Sequence, residues 1–206
     1  GVHGIGQVIH FDTNAERSDY SWLRGSNTNL PASVSVQWVK PVSDDFHARF
    51  TATQRAYRYV ICNRPERSAV FNGLVTWNHV ALDLKRMQQA ANFLLGEHDF
   101  SSFRASGCQA KSPVRTIHKL ELTQQDEFIV FDIEANAFLH HMVRNIAGVL
   151  MAIGSGEREV DWAKEVLEHQ DRKLGGITAS PSGLYLTRVS YPEEFQIPQA
   201  RLRLFI

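Results

Sequence analysis

Cysteine occurs only at Cys62 and Cys108 in 206 residues, too sparsely for a disulfide framework or a zinc ribbon. A reducing compartment, the cytoplasm, is therefore the expected setting. No apolar run approaches the length of a membrane span, and the first residues do not read as a signal peptide. Net charge is also missing, with 22 basic residues against 22 acidic, so the chain as a whole carries no field that selects a polyanion. The Gly-rich phosphate loop, the Gly-x-Ser-x-Gly elbow and the dinucleotide fingerprint are absent, which removes the commonest nucleotide and hydrolase signatures. Metal ligation is not expected either. His140 and His141 are adjacent and, on a helix, would diverge by about 100°. No cysteine or carboxylate stands at ligand spacing beside them.

What is present begins with enough apolar material, 43% of the chain, for one large core or two small ones. The zero balance hides an asymmetry. Through Leu120 there are 14 Lys and Arg against 9 Asp and Glu, and beyond it 8 against 13. Arg49, Arg55, Arg58, Arg64 and Arg67 crowd one short region, interleaved with Phe46, Phe50, Tyr57 and Tyr59. Most charge runs are solvated surface, yet cations alternating with rings are also what single-stranded nucleic acid needs.

Periodicity gives a mixed set of elements. Gln7–Phe11 reads as a strand, Asp19–Thr28 as a helix with Tyr20 and Leu23 in its apolar set, and Val34, Val36 and Trp38 alternate as on a half-buried strand. Asp44–Phe50 has neither period and reads as an ordered loop. Arg55–Cys62 alternates as a strand with Tyr57, Tyr59 and Ile61 on one face and Arg58 and Val60 on the other. Asp83–Leu95 is expected as a helix capped by Asp83, stopped by Gly96, with Leu84, Met87, Ala91, Leu94 and Leu95 inward. A long irregular run from Glu97 to Pro113 follows, of the length that is often functional. Thr116–Thr123 and Phe128–Ala135 form a hairpin, Val160–His169 an acidic amphipathic helix, and Gly183–Val189 the last strand.

One helix stands apart. Leu139, Met142, Val143, Ile146, Leu150 and Ile153 recur at three- and four-residue spacing, forming an apolar stripe. Arg144 lies roughly opposite it, beside the small residues Ala147 and Gly148, which imply a second close-packed face. Between Leu139 and Gly156 it is the only formally charged residue. A guanidinium in so apolar a helix needs an anion, because an unpaired buried charge is strongly unfavourable. That anion is either a structural carboxylate or a functional one.

Five dispersed motifs decide the family expectation: Phe46-His47-Ala48-Arg49-Phe50, Arg55-Ala56-Tyr57-Arg58-Tyr59, Asp99-Phe100-Ser101-Ser102-Phe103, Phe138 to Asn145, and Gly183-Leu184-Tyr185-Leu186. In this order, across residues 1 to about 191, they resemble the bacterial tRNA pseudouridine synthase A family. The resemblance implies an α+β fold of two similar α/β domains whose largely antiparallel sheets join around a basic cleft. It implies a homodimer that isomerises uridines at positions 38–40 of the tRNA anticodon stem-loop, without a cofactor. Here residues 1–48 would be the remainder of the N-terminal domain, and residues 49–206 the C-terminal domain carrying most of the cleft.

By that resemblance Tyr57 is the tyrosine that stacks on the target base, Arg144 pairs with the catalytic aspartate, and Leu184 helps to wall the base pocket. Phe46, His47, Ala48, Arg49 and Phe50 match a stretch that contacts tRNA, and Gly107, Cys108, Gln109, Ala110 and Lys111 a second contact loop. Arg58 is expected to join them through its charge, and Arg17 is a further candidate. The family's nucleophile is the Asp of a Gly-Arg-Thr-Asp-Ala-Gly-Val-His motif, and Gly1-Val2-His3 matches only its end. The sequence is thus expected to be a piece of a longer product, missing the Asp and the first strand and helix, and inactive as given. A non-catalytic RNA-binding domain is the rival expectation. The covalent route of the chemistry stays open.

Overall fold

A computed structural model describes residues 2–199. The long hydrophobic strands find partners first, because each buries one face and satisfies its backbone only in a ladder. β2 (Gln54–Asn63) lies between β6 (Phe128–Ala135) and β7 (Leu184–Ser190), antiparallel to both. β6 turns back on β5 (Val114–Gln125), and β4 (Gly96–Asp99) closes that edge. At the other edge, the two residues of β1 (His3–Gly4) run parallel to β7. The resulting order is β1-β7-β2-β6-β5-β4. β3 (Thr76–Asn78) runs parallel to the last three residues of β2, where β7 no longer pairs with it. The sheet is thus mixed and mostly antiparallel, in an α+β fold.

Alternation along β2 divides two cores. Tyr59 and Ile61 face the main one, where α2 (Leu84–Asn92), α3 (Met142–Gly154) and α4 (Trp162–His169) cover the sheet. Val60 and Cys62 face a smaller cluster with Val75, Val130 and Tyr185. α2 is capped as expected, the Asp83 side chain accepting from the Arg86 N–H. Its inward set includes Ala90, whereas Leu95 lies beyond the helix and is exposed. The Tyr59 hydroxyl donates to the Ser180 carbonyl at 2.8 Å and accepts from Thr76 Oγ1 at 2.6 Å. Burial pushes this phenol up to about 12, against the opposing effects of the Thr76 bond and the Arg144 charge. Tyr59→Phe should cost about 1–3 kcal/mol, read as a lower urea midpoint at unchanged slope, because it strips partners from buried polar groups.

Several sequence expectations are corrected. Gln7–Phe11 and residues 34–38 join no ladder among the described residues. Alternation makes a strand only where a neighbour takes its hydrogen bonds; here Ile9, Phe11 and Val34 stay exposed, and the Val36 backbone bonds the Asn27 side chain instead. α1 (Asp19–Asn29) starts at the Ser18 cap but buries no residue, with Tyr20 exposed. The run from Glu97 is not irregular throughout: Gly96–Asp99 pairs with β5, and Phe100 and Phe103 sit in the core.

The most consequential difference is at α3, which begins at Met142 rather than near Phe138. His141 has φ +62°, a left-handed conformation that breaks the helical path. Leu139 is buried because the preceding loop folds inward, not because it continues the stripe. The adjacent histidines therefore do not diverge; their rings lie 4.0 Å apart. No group of three His, Cys, Asp or Glu side chains suited to a metal occurs among the described residues.

Candidate active site

One cavity of about 510 Å³ opens where β2, β7 and the start of α3 meet. Tyr57 enters from β2, two residues before Tyr59 and on the same face. Its ring stands edge-on to Phe138, centroids 5.0 Å apart at 85°. Leu184 enters from the first position of β7 and is itself buried. Arg144 comes from the first turn of α3, with Nε donating to the Ala179 carbonyl at 2.7 Å. Ala179 N–H in turn donates to the Arg144 carbonyl at 3.1 Å. Val2 reaches the same wall.

Two loops complete the rim. Residues 107–110 are folded over by Arg104, whose Nη2 donates to the Cys108 and Ala110 carbonyls, both at 2.7 Å. Gly107 allows the turn with φ +82°. On the other side, Arg49 is carried by a loop whose backbone is held by Arg55, which donates to the Arg49 carbonyl at 2.7 Å. The lining includes Arg49, His140, His141 and Arg144, and no carboxylate among the described residues. Burial raises the Tyr57 phenol above its ordinary range, with the Arg55 cation opposing it. Burial lowers His141, and His140, Arg144 and Arg172 lower it further. At Cys108 burial resists ionisation. The N–H groups of His140 and Ala110 and the Arg104 guanidinium outweigh it, and the thiol is lowered.

The arrangement suits a flat, polar, neutral ring presented beside an anion. Tyr57, Phe138 and Leu184 supply apolar faces, and the cations favour negative charge.

The same region carries a sequence match. Residues 90–192 fit the family model described as tRNA pseudouridine synthase. The curated tRNA pseudouridine synthase A of Pseudomonas aeruginosa is 58% identical over 201 residues, 98% of this chain and 70% of that protein. The chain belongs to the tRNA pseudouridine synthase A family. The proteins of that name from Nitrosococcus oceani and Coxiella burnetii are 57% and 51% identical, covering 97% and all of this chain and 77% and 78% of their own. The family consists of isomerases.

Set against this family, the expected site residues fall into two groups. Tyr57, Leu184, Arg144, Arg49, Gly107, Cys108, Gln109 and Ala110 share the cavity, with Lys111 exposed beside it. Phe46 does not: its ring is buried against Tyr191 and Phe195, so it shapes the loop and cannot stack on a base. His47 packs on Phe50 and accepts the N–H groups of Arg49 and Phe50, while the Ala48 carbonyl accepts the Tyr191 hydroxyl. Phe50 is three-quarters exposed.

Arg58 is the clear exception. It follows Tyr57 on a strand and so points to the other face, where Nε and Nη2 bind both oxygens of Asp132 at 2.8 and 2.9 Å. Its charge is neutralised away from the cavity. Arg17 lies over the Trp22 ring. Sequence reasoning missed Phe138 as the partner of Tyr57, the paired histidines at the rim, and Arg104 as the loop clamp. The motif Phe138–Asn145 contained the first two, but only the fold shows them facing the cavity.

Proposed function

We propose that this chain supplies most of the active site of an enzyme that isomerises uridine to pseudouridine in tRNA, at positions 38–40 of the anticodon stem-loop, as a homodimer in the cytoplasm, and that the 206 residues alone are inactive. The observation that carries the proposal is the convergence of Tyr57, Arg144, Leu184 and Val2 on one cation-lined cavity. Pseudouridine formation breaks the C1′–N1 glycosidic bond, turns the base, and joins C1′ to C5; N1 gains a proton and C5 loses one. The base must first leave the RNA stack. Tyr57 holds the extruded ring against Leu184. A carboxylate attacks the sugar or base, or assists elimination and re-addition. Arg144 keeps that carboxylate ionised and aimed.

The carboxylate belongs to the family motif whose last residues match Gly1-Val2-His3. Gly1 lies outside the described residues, but Val2 lines the cavity. No described carboxylate takes its place there, so the 206-residue polypeptide alone should release no tritium from tRNA labelled at uridine C5. The same polypeptide preceded by the motif and the family's first strand and helix should release it. If the extended protein binds tRNA and releases none although the carboxylate is restored, the reading becomes a non-catalytic RNA-binding domain. We further propose that residues 1–48 and 49–206 belong to two domains, and that sedimentation of the extended protein gives a dimer.

The tRNA contacts are proposed at His47, Ala48, Arg49, Phe50 and residues 107–111. Each neutralised phosphate releases counterions, steepening the salt dependence by about 0.7–0.9 in log–log slope. Arg49→Ala should lower the slope for anticodon-arm binding by about one such increment. Arg58→Ala, on the far face and paired with Asp132, should leave it unchanged. An unchanged slope in Arg49→Ala would remove Arg49 from the interface.

A further inference from the structure

Arg144 is not held by its own helix alone. The hydrogen bonds that aim it come from Ala179, 35 residues away, at the end of a strap formed by residues 172–179. The strap lies directly on α3. A Cβ at Gly148 would stand 1.7 Å from the Ile177 carbonyl oxygen, so only glycine admits this approach. This is the second packed face that the small residues of α3 imply.

A buried polar cluster fastens the strap. Asn145 is 1% exposed and donates through Nδ2 to the Phe103 carbonyl at 2.7 Å. Its Oδ1 accepts from Thr178 Oγ1 at 2.6 Å and from Arg172 Nη2 at 3.1 Å. Arg172 Nη2 also donates to Thr178 Oγ1 at 2.9 Å. Both ends of the strap are thereby tied to the residue that follows Arg144 on α3. None of the three lines the cavity.

We propose that Asn145, Thr178 and Arg172 are positioning residues for the isomerisation. They fix the strap on α3, the strap fixes the Ala179 carbonyl, and that carbonyl occupies Nε of Arg144. Only its two terminal nitrogens are then left for the catalytic carboxylate. The inference rests on the role proposed for Arg144. An arginine–carboxylate pair is directional, and misplacement by about 1 Å can cost on the order of 100-fold in rate.

The test uses the chain extended through the family motif, assayed by tritium release and single-turnover kinetics. Thr178→Val keeps the shape but removes the hydroxyl. It should lower kcat by about 10- to 100-fold while KM for tRNA stays within about twofold. Thr178→Ser should restore kcat to within about threefold of the parent. In ¹⁵N spectra, the Nε–H of Arg144 should exchange slowly in the parent and in Thr178→Ser, and faster in Thr178→Val. A purely structural role would instead lower the unfolding midpoint and the active fraction together, leaving that exchange unchanged in the folded molecules. Should Thr178→Val not fold, Arg172→Lys carries the same test, since it keeps the charge and stops one atom short of Nη2, the single nitrogen that bonds both Asn145 and Thr178.

Arg144→Lys separates the two levels. If it is slow while Thr178→Val and Arg172→Lys run at full rate, the strap proposal is overturned and the role of Arg144 stands. Full rate in Arg144→Lys would overturn both. Failure of Thr178→Ser to rescue would overturn the hydroxyl's part.

Discussion

Arg144→Gln in the motif-extended chain should lower turnover by between a hundredfold and several thousandfold, with tRNA affinity kept within about tenfold. Glutamine retains an amide that can reach the Ala179 carbonyl, which now accepts Nε at 2.7 Å, so the local fold should survive. What it removes is the charge. Breaking a buried ion pair by deleting one partner costs about 3–5 kcal/mol, and each 1.36 kcal/mol in the barrier is tenfold in rate. Affinity should change little, because the tRNA contacts proposed above lie along the rim rather than at this helix. The carboxylate would also lose the cation that depresses its pKa, so the acid limb of the rate profile should move to higher pH. The reaction needs the ionised form, so activity would be lost earlier as pH falls. Single-turnover tritium release over a pH series measures both effects. A loss under threefold, or equal losses in rate and affinity, would return Arg144 to a structural role.

The sheet was legible wherever alternation coincided with burial. β2, β5, β6 and β7 all lie between or beside ladder partners, and β2 separates its two cores by parity, although a register shift after Ile117 interrupts the alternation of β5. The same parity rule put Arg58 opposite Tyr57. Charge grouped it with the RNA contacts, whereas parity places it on the other face from the cavity, paired with Asp132. Gln7–Phe11 shows the converse, since its pattern is that of a strand but no described neighbour takes its hydrogen bonds.

The start of α3 was illegible for a different reason. Apolar spacing runs unbroken from Leu139 to Ile153, and histidine's enrichment at positive φ is too weak a signal to announce φ +62° against that spacing. Tertiary contacts of the loop accompany that conformation. One of them is the His140 carbonyl accepting from Ala105 N–H at 3.0 Å. The isolation of Arg144 was visible in sequence, as was the need for a close neighbour at Gly148. Which segment fills that need was not, because a main-chain carbonyl leaves no mark on residue identity.

Tyr57→Ala should leave tRNA affinity within about tenfold, roughly 1.4 kcal/mol, while lowering turnover by about 10²–10⁴. The asymmetry follows from placement. Tyr57 lines the cavity with its ring nearly perpendicular to that of Phe138, whereas Arg49 and residues 107–110 come from the loops at its rim. A base entering the cavity gains the ring face only after it has left the stack, so the contact acts on the chemical step and little on docking. Tyr57→Phe divides the two roles of the side chain. It keeps the stacking face, so trapping of an extruded base by a slow substrate analogue should persist. It loses the hydroxyl, and turnover should fall if that hydroxyl moves a proton. Burial raises the phenol above its ordinary value near 10, so it is neutral throughout the physiological range and serves as a donor or relay rather than a ready phenolate. The parent enzyme should accordingly show no ionisation below about pH 10 that disappears in Tyr57→Phe. Full turnover in Tyr57→Phe would confine the residue to stacking, and full turnover in Tyr57→Ala would leave it only a place in the sheet.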